Sequence, residues 1–255
     1  MSLLSPNDPA PFTLVRGDQA SPFVFTCDHA GNRFPEGLGD FGLPAEARED
    51  HIAWDIGAAA VAAQLSADLG GDLVLQTYSR LLIDCNRPPH VPSSIPAKSE
   101  HTVIEANHDL SEADRLARRH SIFDPYHRAI ADTIDNRMAH GRRTVLVSVH
   151  SFTPVYLGVQ RPMHVGLLFN RDPRLGRMLK ERLERDPKLV VAENEPYAVG
   201  DDTDYTIPVH GEQRGIAHVM IEIRNDLIRN ERGQSAWAVR LAKILREADR
   251  DLRES

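Results

Sequence analysis

Thr144–Ser151 reads TVLVSVHS. Valine and leucine run through it without the polar alternation of a strand that faces water on one side. This is the pattern of a strand covered on both faces. Such strands belong to sheets flanked by helices, and open α/β sheets bind ligands beyond the carboxyl ends of their strands. The run ends in His150 and Ser151, so its polar residues arrive where a ligand is expected. Similar short runs occur at Pro22–Cys27 (PFVFTC), Asp72–Ile83 (DLVLQTYSRLLI), His164–Phe169 (HVGLLF) and Ala217–Ile223 (AHVMIEI).

Helical patterns lie between these runs. Trp54, Ala58, Val61, Leu65 and Leu69 form one stripe, closed by Gly70-Gly71. A second pattern opens at Ser111 with Asp114 three residues on, in the manner of a capping box. It runs through Phe123, Tyr126, Ile130, Ile134 and Met138, with Pro125 expected to kink or divide it. A third covers Asp172–Leu183, and the last carries Trp237, Leu241, Ile244, Ala248 and Leu252 on one face. The expected architecture is α/β, a single-domain three-layer α/β/α arrangement with a mixed central sheet. It is taken to span residues 1–255, with 1–15 irregular. Residues 88–110 show no element of their own, and their length marks them as a lid or specificity loop.

The 255 residues, 41% hydrophobic and 26% charged, fit a globular domain with a sizeable core. A net charge of -7 argues against nucleic acid or an anionic membrane as main partner. Both cysteines, Cys27 and Cys85, fall in strand-like runs, which points to a reduced, cytoplasmic setting. Met1–Phe12 lacks the basic and apolar regions of a signal peptide, so none is expected. The most apolar helical stretch, Ile56–Leu65, is only about half the roughly 20 residues of a membrane span.

The polar residues at the strand ends carry the functional signal. The first run leads into Asp28-His29, the second passes Ser79-Arg80 and reaches Asp84, Asn86 and Arg87, the third delivers His150, and the last carries Glu222 before Arg224. Neutral imidazole is a good zinc ligand, and a hydrolytic zinc site adds a third ligand while leaving a position for water. Asp55 is the first choice for that third ligand, read as lying just inside the following helix, and His51, one turn earlier, competes with it. Glu222 reads either as an outward residue of an alternating strand or as a buried general base. Arg80 and Arg87 are salt-bridge residues or binders of a substrate carboxylate. His210 closes a polar loop before the Glu222 strand and is a substrate-binding candidate, as is Arg224. Gly37–Gly42 matches a dinucleotide fingerprint, but no strand precedes it, so it reads as a loop. Cys27 reads as a buried core residue rather than a nucleophile.

These residues resemble the N-formylglutamate amidohydrolase family, which is similar in fold to zinc carboxypeptidases and aspartoacylase. The resemblance runs from Phe23 to the last helix, through DHAGNRFP (Asp28–Pro35), the Asp55 segment, SRLLIDCNRP (Ser79–Pro88), PYH (Pro125–His127), VHS (Val149–Ser151) and IEI (Ile221–Ile223). It implies a phosphorylase/hydrolase-like, zinc-peptidase-like fold with one zinc ion. Carried over, His29, Asp55 and His150 match the metal ligands, Glu222 the general base, and Asn86-Arg87 a carboxylate-binding pair; Arg80 is a candidate oxyanion stabiliser. Ser148 stands two before His150, where relatives commonly carry an acid, so a poorly oriented ligand is expected there. The implied activity is hydrolysis of an N-formyl or N-acyl amino acid, N-formylglutamate first. The alternatives are hydrolysis of another acyl amino acid or small peptide, and a metal-free binding protein of the same fold.

Overall fold

The computed structural model describes residues 3–254. Its strands are β1 (Phe12–Val15), β2 (Phe23–Cys27), β3 (Asp72–Gln76), the hairpin pair β4 (Lys98–Ser99) and β5 (Thr102–Val103), β6 (Val145–Phe152), the hairpin pair β7 (Val155–Tyr156) and β8 (Val159–Gln160), β9 (Val165–Leu168), β10 (Val191–Glu193) and β11 (Ala217–Arg224). Its α-helices are α1 (Ala45–Glu49), α2 (Ala58–Leu69), α3 (Glu112–Arg118), α4 (Asp124–Ala139), α5 (Arg174–Leu183) and α6 (Glu231–Glu254). Seven strands form one mixed sheet in the order β1-β3-β2-β6-β11-β9-β10. The central four, β3, β2, β6 and β11, are parallel, and β1 and β9 run antiparallel to β3 and β11.

Side chains of a strand alternate between its two faces, and the two cores follow that rule. Val145, Val147 and Val149 of β6 pack with α2, α5 and α6, whereas Leu146 joins Tyr126, Ile130 and Ile134 of α4 on the other face. His150 shares the parity of Leu146, and Glu222 that of Met220, which packs in the α4 core. The two polar residues therefore project from the α4 face of adjoining central strands. The three-layer fold with a mixed sheet is as expected.

Several local readings differ. The run from Asp72 stops being a strand at Gln76, because Leu81, Leu82 and Ile83 turn into the α4-side core instead of extending the sheet. β1 lies in the segment expected to be irregular, where it pairs Phe12–Val15 with Leu73–Gln76. α2 begins only at Ala58, after Gly57 in a left-handed conformation (φ 82°), so His51, Trp54 and Asp55 sit in the turns before it. Its other end closes on Gly70 (φ 64°), as the sequence implied. Pro125 divides the second helical pattern as expected. It lies in the first turn of α4, and a π-turn at Arg119–Phe123 joins that helix to α3. Cys27 and Cys85 are free and buried. Among the described residues no helix is long and apolar enough to cross a membrane.

Residues 88–110 have more structure than their sequence signals. They carry two 3-10 turns and the β4–β5 hairpin. Buried Asn107 fixes them: its amide donates to Leu81 O (2.8 Å) and Pro96 O (2.7 Å), and its oxygen accepts from Arg118 (2.6 Å). Asn107→Ala strips partners from these buried groups and is expected to cost roughly 1–3 kcal/mol. Urea denaturation reads the loss, and amide exchange should accelerate through the hairpin before it does in the sheet.

Candidate metal centre and its cavity

The site begins where β2 ends. Gly31, two residues past His29, lies so close to Thr77 that a Cβ would come within 2.1 Å of its carbonyl oxygen, so only glycine lets the His29 loop lie against that segment. Asp55 N donates to His29 O (2.9 Å), and Ser151 Oγ donates to Ile56 O (2.9 Å), which ties the Asp55 turn to both histidine-bearing strands. His29, Asp55 and His150 each offer one ligand atom within 4.8 Å of the other two, and all three are buried. Nδ1 of both imidazoles faces one oxygen, Asp55 Oδ2, at 3.2 Å from His29 and 2.8 Å from His150. Asp55 is thus the acid of the cluster. His51 stands at the cavity mouth, bonded to Asp50 (2.9 Å) and Glu100 (3.1 Å).

The outer nitrogens of the two imidazoles are also held by carboxylates. His29 Nε2 meets Asp84 Oδ1 at 2.7 Å, and His150 Nε2 meets Asp28 Oδ2 at 3.0 Å. The expectation of a weakly oriented His150 is corrected here: Asp28, at the end of β2, supplies the acid, and Ser148 Oγ bridges Asp28 (3.1 Å) and His150 (3.0 Å). Asp28 Oδ1 also accepts from Tyr126 OH and Thr206 Oγ1, both at 2.7 Å. Burial alone would raise the Asp28 carboxyl, but the hydrogen bond and charge of His150 bring it down to about 2. Burial and Arg80 pull the His29 imidazolium down, while Asp84 and Asp55 outweigh them and raise it. His150 lies well above its usual range, because Asp28 and Asp55 overcome its burial.

Parallel pairing sets Glu222 of β11 opposite His150 of β6. Glu222 is 6% exposed, and its buried Oε2 has no hydrogen-bond partner. Burial pushes its carboxyl up to about 7 despite the nearby His150 charge. The reading of an outward-facing residue is set aside, since β11 is a central strand. Arg80 bonds Asp84 Oδ2 through Nε (3.1 Å) and a terminal nitrogen (2.6 Å), and lies 3.6 Å from Asp55. Burial alone would lower its guanidinium, but Asp84 and Asp55 raise it, so the charge is permanent.

His29, Asp55, Arg80, Asn86, Arg87, His150 and Glu222 line one cavity of about 440 Å³, and Ser93, Pro96, Lys98 and Glu100 of the 88–110 segment contribute to its wall. Two expected substrate residues lie elsewhere. Arg224 is bonded to Asp226 and to main-chain oxygens of residues 161–163. His210 is buried behind the cavity, stacked on His127 with ring centroids 5.2 Å apart. Asn86 reaches the cavity, yet its amide is committed: it donates to Asp204 Oδ1 (2.9 Å) and accepts from Tyr205 N and Thr206 N (both 3.1 Å). It therefore buttresses the loop that Arg87 also holds, through Thr203 O and Asp204. At the rim, the Arg161 guanidinium lies between the rings of Tyr156 and Tyr197, 4.6 and 4.9 Å from their centroids. The sequence reading gave Asp28 and Asp84 no role and missed Tyr197. Strand-end position was the available signal for the first two.

Fold and site together define a three-layer α/β protein with a candidate metal centre opening into a cation-lined cavity. The N-formylglutamate amidohydrolase family model matches residues 21–229, and the chain belongs to that family; it is an enzyme that hydrolyses amide bonds. A crystal structure of a gene product from Agrobacterium tumefaciens is similar over 98% of this chain and 99% of that one, at 38% identity and a TM-score of 0.93. The N-formylglutamate amidohydrolase from Ralstonia eutropha JMP134 shares the fold, with a TM-score of 0.69 at 23% identity over 97% of this chain and 100% of that one. No curated protein matches.

The His127–His210 pair yields a pH prediction. His127 Nε2 donates to Cys85 O (2.7 Å), so its Nδ1 accepts from His210 Nε2 (3.0 Å) and both rings are neutral. Burial pulls His127 from 6.5 down to about 4, and His210 well below its usual range. The unfolded chain therefore binds these protons first. The pair is without effect above about 6.5 and removes stability as pH falls from there toward about 4. His127→Gln is expected to flatten the loss of unfolding free energy across that window in urea titrations; an unchanged slope contradicts the assignment.

Proposed function

We propose that the enzyme hydrolyses the amide of an N-formyl or N-acyl amino acid, N-formylglutamate foremost, giving formate and glutamate, with one zinc ion held by His29, Asp55 and His150. What carries this reading is the convergence of two imidazoles and a carboxylate, all buried, beside the unpartnered oxygen of Glu222. Two nitrogens and one oxygen are a donor set that zinc accepts, and the carboxylates behind both imidazoles are the outer partners such ligands need. A bound zinc would acidify a water molecule and polarise the amide carbonyl.

The remaining work falls to side chains of the cavity. Glu222, whose carboxyl is raised to about 7 by burial, is matched to accept a proton from water near neutral pH and to return it to the departing amine. Arg80 keeps a permanent positive charge at the cavity wall, where it offsets the negative charge that develops on the carbonyl oxygen. Arg87, about a quarter exposed on the cavity wall, would pair with a carboxylate of the substrate. The partner this implies is a small, carboxylate-bearing molecule.

Formate release from N-formylglutamate tests the reading: chelation is expected to abolish it and added zinc to restore it, whereas full activity of the chelated protein would end the metal proposal. Glu222→Gln should keep its zinc and lose turnover by on the order of a hundredfold or more. Asp28→Asn, which leaves His150 without its anionic support, is expected to weaken zinc binding by about 10–100-fold, measured by competition with a chelating dye.

A further inference from the structure

We propose that Lys98, on the β4–β5 hairpin, is the specificity-determining cation for a second carboxylate, the one on the side chain of the amino-acid substrate. The assignment rests on the hydrolytic reading above and deepens it. An N-formylated acidic amino acid carries two carboxylates, and each needs a cation to compensate its lost hydration. Three permanent cations line the cavity: Arg80, Arg87 and Lys98. Arg80 is already locked to Asp84 and close to Asp55. Arg87 is tied to Thr203 O and lies 3.7 Å from Asp204. Lys98 is different. It is exposed, it faces the cavity, and among the described residues no carboxylate or carbonyl holds its ammonium group.

The hairpin beneath Lys98 is held in place, so the charge is delivered to a fixed region. Asn107 binds the carbonyl oxygens of both Leu81, next to Arg80, and Pro96, at the start of the hairpin. His51 Nε2 reaches Glu100 on the same hairpin at 3.1 Å. Backbone on both sides of Lys98 is thus fastened to the walls that carry Arg80 and the Asp55 turn, while its four-carbon stem stays free to reach a ligand. An ammonium group is a compact point charge rather than a shaped fork. It discriminates by charge: a neutral side chain gains nothing from it, and an acidic one gains an ion pair at the water-exposed end of the cavity.

The test compares two substrates of nearly equal shape, N-formylglutamate and N-formylglutamine, with the wild type and Lys98→Met, which keeps an apolar stem. Lys98 has no partner to lose, so the variant is expected to fold as the wild type does. For N-formylglutamate, kcat/KM should fall on the order of tenfold, through KM with kcat little changed. For N-formylglutamine it should move by less than about twofold. Lys98→Glu should turn the preference toward N-formylglutamine. Equal losses on both substrates, or no loss on N-formylglutamate, would overturn the assignment. Should the wild type release formate from neither compound, the hydrolytic reading fails, and calorimetric affinities for the same two compounds then decide the role of Lys98 by the same ratio.

Discussion

The structure turns on a buried chain of alternating charges: Asp84, His29, Asp55, His150 and Asp28, joined at 2.7, 3.2, 2.8 and 3.0 Å. Unpaired charges are expensive to bury, so none of these groups is stable there without its neighbours. Each imidazole lies between two carboxylates and donates from both nitrogens. A divalent cation carries the same charge as the two Nδ1 protons facing Asp55, so exchanging one for the others leaves the charge of the cluster unchanged. The arrangement that balances its own charges on folding would therefore also accept the proposed ion without a change of charge. It also explains why the chain draws on five segments: β2, the turn before α2, the loop after β3, β6 and, through Glu222, β11.

The sheet makes this convergence cheap in backbone terms. β2 and β6 are neighbours, as are β6 and β11, and all run parallel, so their polar ends arrive together. Register matters more than proximity. A slip of one residue in β11 would turn Glu222 toward α6 and replace it beside the imidazoles with Ile221 or Ile223. The apolar pattern of β11 forbids that slip, because Val219, Ile221 and Ile223 belong to the core on the opposite face.

Those same patterns decided what was legible in the sequence. Runs covered on both faces announced five of the seven strands of the main sheet, leaving out the edge strands β1 and β10, and the ends of those runs pointed to His29, His150 and Glu222. Asp55 was legible as the acidic candidate that joins both imidazoles, yet its local structure was misread: Ala58 to Leu65 carries a helical stripe, and nothing in side-chain pattern tells that Gly57 turns left-handed and delays the helix to Ala58. Asp28 went unassigned because its role is to hold another side chain, which depends on the pairing of β2 with β6 and leaves no periodic trace. His210 and Arg224 were overread for the converse reason. Both stand next to functional segments in the chain, but strand-end position does not say toward which side a side chain leaves, and burial against His127 and the Asp226 ion pair claim them instead.

The cavity is consequently divided. Apart from Glu222, its inner end is built of groups each held by two or more partners, where small displacements would disturb charge balance throughout the chain of carboxylates and imidazoles. Its outer end is furnished by the hairpin, by the guanidinium sandwiched between Tyr156 and Tyr197, and by the loop that Asn86 braces. Lys98, Tyr156 and Tyr197 touch the cavity without entering the buried network. Substitutions at the rim therefore leave the buried network intact, whereas none of the inner carboxylates can change without shifting the protonation of its neighbours. The division follows from burial: charge balance fixes the inner residues, and water screens the outer ones from one another.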